Sequence, residues 1–148
     1  MAIKRTLKVV LVEPAGPINV GSVARLCENF NVHELRLVSP RCDHLDQEAK
    51  KMAVRGIKIL EKAKVYKDLN SAVADCSRIL ATCGRKEHGE IPLNSNKDAL
   101  SWALKSEREE TIALVFGRED RGLSNEELLK ANKVISLNTN ENYPSLNL

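Results

Sequence analysis

The sequence predicts an α/β protein, a mainly parallel sheet with helices on both faces. Short apolar runs rich in β-branched residues recur at Lys8–Val12, Leu35–Val38, Ile79–Cys83, Ile112–Phe116 and Val134–Leu137. Strands without polar alternation are those buried on both faces. Between these runs the apolar residues repeat at helical spacing, and such alternation is the pattern of a parallel sheet. At 148 residues the chain is long enough for one self-sufficient core, so it is expected to be a single domain without disulfide or metal staples.

Each element has its own signals. The first strand ends at Glu13-Pro14, and Gly16, Pro17, Asn19 and Gly21 make the loop after it. Asn19 is placed to cap a helix with Val20, Val23, Ala24 and Cys27 on its apolar side, closed by Asn29 and Asn31. Leu35–Val38 stops at Ser39-Pro40. Residues 46–63 carry the longest helical pattern, with Ala49, Met52, Ala53, Gly56, Ile57, Leu60 and Ala63 on one side and lysines and arginines on the rest. Val65-Tyr66 is a brief strand, Asp68 caps a short helix, and Ile79–Cys83 is followed by a polar loop to Asn96. A helix is expected near 97–107. After Ile112–Phe116, Ser124 with Glu127 forms a capping box, and Val134–Leu137 is the last strand.

The formal charge is only +3, from 23 Lys/Arg and 20 Asp/Glu. It is unevenly spread: residues 1–65 hold 12 cations against 7 anions. A basic half either faces a polyanion or is a solvated helix face. No uncharged apolar run reaches the roughly 18 residues of a membrane span, and Glu13 interrupts the N-terminal run. The expected compartment is cytoplasmic. Cys27, Cys42, Cys76 and Cys83 lack zinc-type spacing and read as free thiols. Cys42-Asp43-His44 has no second cluster to complete it, so no metal is expected.

In parallel sheets ligands bind beyond the carboxyl ends of the strands, in the loops that follow them. Familiar nucleotide motifs fail there. No G-x-G-x-x-G occurs, and Gly117–Gly122 has P-loop glycine spacing but Leu123 where a lysine is required. There is no nucleophile elbow, and His33, His44 and His88 lie in polar segments. Three loops remain. Asn19 and Arg25 flank Gly21, and read either as a cap and a surface charge or as site residues. Gly117-Arg118-Glu119 reads either as a polar turn capping the next helix or as a charged triplet aimed at the ligand edge. Asn138–Asn147 carries four asparagines and Pro144-Ser145, and reads as a third loop of the site or as an irregular tail.

Taken together these loops resemble one family. Glu13-Pro14-x-x-Pro17 with Asn19-x-Gly21-x-x-x-Arg25 is similar to motif 1 of the SpoU/TrmH RNA methyltransferases. Leu114-Val-Phe-Gly-Arg-Glu-Asp-Arg-Gly-Leu-Ser-Asn-Glu-Glu-Leu128 resembles motif 2, and Ile135 through Ser145-Leu146-Asn147-Leu148 resembles motif 3. The motif 2 stretch is most like the TrmJ branch, which methylates ribose in the tRNA anticodon loop. The resemblance implies the SPOUT fold with a C-terminal trefoil knot, S-adenosylmethionine as methyl donor, and a homodimer with its site near the subunit interface. By position it implies donor contacts at Thr82, Cys83, Gly84, Gly117, Leu137, Pro144, Ser145 and Leu146. Arg25 becomes the catalytic residue, with Asn19, Glu119, Ser145 and Asn147 positioning it or the ribose. RNA contacts are expected at Arg25, Arg85, Lys86, Arg118 and Arg121. The family continues past S-L-N-L into a helix, so a domain cut short at its C-terminus is a further expectation.

The reaction so implied moves a methyl group from a sulfonium to a ribose 2′-hydroxyl. The site must orient the hydroxyl, take up its proton and offset alkoxide charge. The family proposal makes the arginine a general base. A pKa above about 12 makes neutral guanidine rare, so Arg25 stabilising the alkoxide is an equal reading. The alternatives are a ribosomal RNA 2′-O-methyltransferase, a non-catalytic knotted RNA-binding module, and an unrelated nucleotide-binding domain. With five aromatic side chains in all, recognition by phosphate, ribose and shape is expected rather than base stacking.

Overall fold

Two hydrophobic layers flank a sheet whose strands all run the same way. The computed structural model describes residues 5–32, 34–83, 98–99, 101–102 and 110–136. In chain order its elements are β1 (Arg5–Val12), α1 (Pro17–Asn29), β2 (Glu34–Val38), α2 (Gln47–Ala53), a 3₁₀ turn (Val54–Gly56), α3 (Ile57–Glu61), β3 (Lys64–Tyr66), α4 (Leu69–Ala72), β4 (Arg78–Cys83), β5 (Glu110–Phe116), α5 (Asn125–Leu129) and β6 (Lys133–Ser136). Asp98, Ala99, Ser101 and Trp102 are helical. The remainder of the helix expected at 97–107, the loop at 84–96, Leu137 and the C-terminal segment expected to form the knot lie outside the described residues.

The sheet order is β3-β2-β1-β5-β4-β6, with every pairing parallel. β1 and β5 are the central pair, in register from Arg5 opposite Glu110 to Leu11 opposite Phe116. Alternate side chains of β1 feed the two layers. Val9 and Leu11 pack with α1, α2 and α3, against Val20, Ala24, Ala49 and Leu60. Val10 and Val12 pack on the other face with Leu69, Ala72, Val115 and Leu128. The chain leaves β1 toward β2 over one face and leaves β5 toward β6 over the other. The carboxyl ends of β1 and β5 therefore flank a topological switch point, where parallel sheets open a crevice.

The helix expected over 46–63 is interrupted. Asp46 caps α2 through the Glu48 N–H, as its residue type favours, but Val54 takes a left-handed φ of 52° and a 3₁₀ turn follows. The cause lies in packing against α1. A β-carbon on Gly21 would stand 2.9 Å from the Ala49 carbonyl carbon, and one on Gly56 would stand 2.7 Å from the Ala24 carbonyl carbon and 2.9 Å from the Arg25 nitrogen. Backbone meets backbone at both points, and the second helix bends to make both approaches. Periodicity registers the shared apolar face but not this contact.

Beneath the sheet's other half, Arg36 is buried yet charged. Its guanidinium donates to the Ala72 carbonyl at 2.8 Å and to both oxygens of Asp75, and lies over the Tyr66 ring. Glu34 bridges Arg36, Lys8 and Lys64. Burial alone would raise the Glu34 carboxyl, but these three cations hold it down at about 2. The cluster ties β1, β2 and β3 to the turn before β4.

Gly56→Ala is expected to destabilise the fold by about 1–3 kcal/mol, because rigid backbone cannot yield to the added methyl. Helix propensity alone would predict a gain for that substitution. A rise in the thermal unfolding midpoint would show that the α1 contact is loose.

Candidate active site

Three loops meet at the switch point, and one carboxylate joins them. β5 carries five consecutive apolar residues, Ile112–Phe116, and delivers Gly117, Arg118 and Glu119 to the sheet edge next to the end of β1. Glu119 accepts hydrogen bonds from the Ala15 N–H at 3.1 Å to each oxygen, from the Gly16 N–H at 3.2 Å and from the Asn19 side-chain amide at 3.4 Å. These donors form the entrance to α1. A helix N-terminus has unpaired N–H groups and a partial positive charge, so an anion is stabilised there. Burial would raise the Glu119 carboxyl, but the Ala15 and Gly16 amides and Asn19 more than offset this and hold it below its ordinary range.

This corrects one expectation and excludes one of two alternatives. Asn19 does not cap α1: the helix starts earlier, with Gly16 at the cap position, no side-chain cap of its own, and Pro17 in the first turn. Proline's fixed φ suits that position, and the missing local cap is supplied by Glu119 from 103 residues away. The turn at Gly117–Glu119 likewise does not cap the next helix. Ser124 and Glu127 do, through the reciprocal capping box that the sequence predicts.

Arg118 locks the same junction from the other side. It pairs with Glu13, at the end of β1, and with Glu127 at 2.8 Å, and donates to the Gly122 carbonyl at 3.2 Å. Arg41 adds a second pairing to Glu13 at 2.9 Å. Arg118, with Arg41, holds the Glu13 carboxyl below the usual range. Arg118 N–H and C=O also pair with Gly122, closing a tight loop. Gly117 admits no side chain there, since a β-carbon would come 2.7 Å from the Gly122 α-carbon, and Gly122 itself has a φ of +68°. An open cavity of about 470 Å³ adjoins the loop, lined by Arg118, Arg121, Leu123, Ser124 and Asn125.

Of the residues expected at a site, the structure brings together Asn19, Gly117, Arg118 and Glu119. Arg25 stands apart from them on α1. It is exposed, and six residues from Asn19 is about 240° around a helix. Arg121 is exposed at the loop tip. Thr82 and Cys83 are buried at the end of β4, where Cys83 is in register with Ser136 of β6. The Thr82 hydroxyl donates to the Val115 carbonyl at 3.1 Å, which leaves that side chain satisfied within the sheet. Gly84, Arg85, Lys86, Leu137, Pro144, Ser145, Leu146 and Asn147 lie outside the described residues. Among the described residues no three of His, Cys, Asp and Glu gather as a metal site, and no helix is long and apolar enough to cross a membrane. Glu13 stands in the motif 1 segment without an assigned role, and the structure pairs it with Arg118 and Arg41. Its signal was an acid directly after one strand and an arginine two residues after another, which means a pair only once the strands are known to be neighbours.

A parallel α/β domain with its polar loops gathered at the switch point has relatives of known sequence and structure. Residues 6–148 match the profile of the SpoU rRNA methylase family, and the chain belongs to that family. It is 38% identical over 146 residues to a Methanocaldococcus jannaschii protein named tRNA (cytidine-2'-O-)-methyltransferase TrmJ, covering 96% of this chain and 62% of that one. It is 32% identical over 144 residues to the tRNA (cytidine/uridine-2'-O-)-methyltransferase TrmJ of Escherichia coli K12, covering 97% and 58%. The structure of a probable methylase family protein from Haemophilus influenzae Rd KW20 superposes with a TM-score of 0.85 at 33% identity, over 96% of this chain and 59% of that one. The chain thus spans about three fifths of the length of the curated relatives it matches.

Glu13, Glu119 and Glu127 all have depressed carboxyl pKa values in the folded chain. Their stabilisation is present above the ordinary value of 4.5 and is lost as pH falls through the folded values below it. Glu119→Gln is expected to cost about 1 kcal/mol at neutral pH, to flatten the acid limb of the stability curve, and to speed amide exchange at Ala15 and Gly16. Unchanged exchange there would show that the carboxylate does not hold the helix entrance.

Proposed function

We propose that this chain is the catalytic domain of an S-adenosylmethionine-dependent RNA 2′-O-methyltransferase, acting on tRNA. One observation carries the reading: Glu119 joins the loop after β5, the motif 2 segment, to the helix that bears Asn19 and Arg25, the motif 1 segment. Family membership and the names of relatives at 38% and 32% identity support both the methyl transfer and the tRNA substrate.

The donor, when bound, supplies an electrophilic methyl on sulfonium sulfur. The described strand ends fit such a group held by backbone. Thr82 has its hydroxyl satisfied internally, Gly117 carries no side chain and admits none, and the ends of β4 and β6 lie in register. These residues, with Gly84, Leu137, Pro144, Ser145 and Leu146, would hold the donor. Single-domain organisation and a cytoplasmic setting belong to the same reading.

On this reading the protein's own side chains orient the acceptor and offset its charge. Glu119 acts through α1: by fixing the helix entrance it sets Asn19 and the direction of the helix. Arg25, as a permanent cation, stabilises the developing alkoxide on the ribose 2′-oxygen. Its high pKa makes it a poor proton acceptor, so an RNA phosphate or water takes the proton. Arg118 is engaged by Glu13 and Glu127 and braces the loop. Exposed Arg121 is left for phosphate, with Arg85 and Lys86.

The homodimer belongs to the same proposal. Ile18, Leu26 and Phe30 form an exposed apolar stripe along α1, at 47%, 53% and 74% exposure, and Arg25 flanks it. A second copy seated on that stripe would bring Arg25 to an interface, which accounts for its separation from Asn19 and Glu119 within one chain.

Arg25→Ala is expected to abolish transfer of labelled methyl to tRNA, with donor affinity by calorimetry changed less than about threefold. Wild-type product should resist alkaline cleavage at a single site. Labelling of ribosomal RNA with no labelling of tRNA would overturn the substrate, and the absence of transfer to any RNA would overturn the activity. Leu26→Asp with Phe30→Asp should convert a dimer to monomer by sedimentation, and an unchanged dimer would place the interface elsewhere.

A further inference from the structure

The net positive charge of the protein lies in a single segment. Residues 47–67 contain seven Lys/Arg and two Glu, a net +5, whereas the whole chain carries +3. The other described cations that approach carboxylates are paired: Lys8, Arg36 and Lys64 with Glu34, Arg41 and Arg118 with Glu13, and Arg78 with Glu110. Lys51, Arg55, Lys58 and Lys62 are all exposed, and none makes an ion pair among the described residues. Each follows by two positions a residue buried against α1 or the sheet: Ala49, Ala53, Gly56 and Leu60. Each cation is thus on the solvent side of its own element: Lys51 in α2, Arg55 in the 3₁₀ turn, Lys58 in α3 and Lys62 at the end of α3. Ala53 and Gly56 are buried on either side of Val54, so the cations stay on the solvent side both before and after the bend.

We infer that this line of cations is a phosphate-binding ridge for the RNA substrate, deepening the RNA methyltransferase reading on which it rests. Three features select a polyanionic backbone rather than bases or a protein face. The cations repeat at three- and four-residue spacing along a segment of two short helices and the 3₁₀ turn between them, a density of charge suited to successive phosphates. No aromatic side chain occurs between residues 47 and 65, so the ridge has nothing on which to stack a base. The ridge is also held rigidly to the helix that carries Arg25. Arg55 precedes Gly56, whose α-carbon packs against the Ala24 carbonyl and the Arg25 nitrogen. A strand lying along the ridge would therefore be fixed relative to Arg25, by contacts that ignore sequence. This separates two tasks: the ridge supplies affinity and register, and the loops at the switch point select the reacting ribose.

The test compares wild type with the K51Q/R55Q/K58Q/K62Q variant, using unmodified tRNA transcripts as probe. All four side chains are exposed, so the variant is expected to keep its thermal midpoint and its affinity for the donor. Binding by anisotropy across a salt series should lose about 3 from the slope of log K against log salt, at about 0.7–0.9 per phosphate contact. The RNA KM should rise at least tenfold. A variant with the wild-type salt slope and KM overturns the ridge while leaving the methyltransferase reading intact. A wild type that neither binds nor methylates RNA overturns that reading instead. Ridge-dependent binding to phosphatidylserine vesicles with an unchanged RNA KM would also overturn the proposal, in favour of a membrane surface.

Discussion

The contact between the Glu119 carboxylate and the N-terminus of α1 is the constraint on which the site depends. The entrance to α1 has no capping side chain of its own, because Gly16 occupies the cap position and Asn19 lies inside the first turn. Unpaired N–H groups at a helix end must find partners. Here the partner comes from the loop after β5, so the helix is completed only when the central strand pair is in register. The register of the central strands therefore also sets the contact between Glu119 and the entrance of α1. A loop that would otherwise be free to vary is held against the helix it serves.

Around that contact, the charges are arranged so that fixed groups are neutralised and a few remain available. Glu13, Arg118, Arg41 and Glu127 satisfy one another across three loops. Exposed ion pairs contribute little to stability, but Arg118 is largely shielded, and its several partners fix one rotamer and one loop path. Arg36 plays a similar part at the other half of the sheet, where burial would be costly without Asp75 and Glu34. The unpaired cations left over, on α1 and along α2 and α3, face solvent. That division separates a braced scaffold from an exposed cationic surface.

The two glycine contacts between α1 and the broken second helix have the same logic. Close backbone approach at Gly21 and Gly56 sets where Arg25 sits relative to the basic ridge. The interruption at Val54 is the conformational cost of making both approaches with one segment, a left-handed residue accepted so that two backbones can meet.

The sequence alone determined the strands, their parallel arrangement, the α5 capping box and the motif segments, because each depends on residues close together in the chain. Hydrophobic runs and period carry burial, and Ser124 with Glu127 carries its own helix start. Asn19 has the local pattern of a cap, but its side chain binds Glu119, 100 residues away. Glu13 had no visible role because its partner Arg118 is 105 residues distant. The break in the helix over 46–63 was hidden because a buried face keeps its period even where the backbone bends. In each case the tertiary structure decided what local pattern could not. Which strands are neighbours, and which helix ends meet which loops, is fixed by packing across the sheet, and the unpaired donors and charges at those meetings select their partners only after the fold has brought them within hydrogen-bond reach.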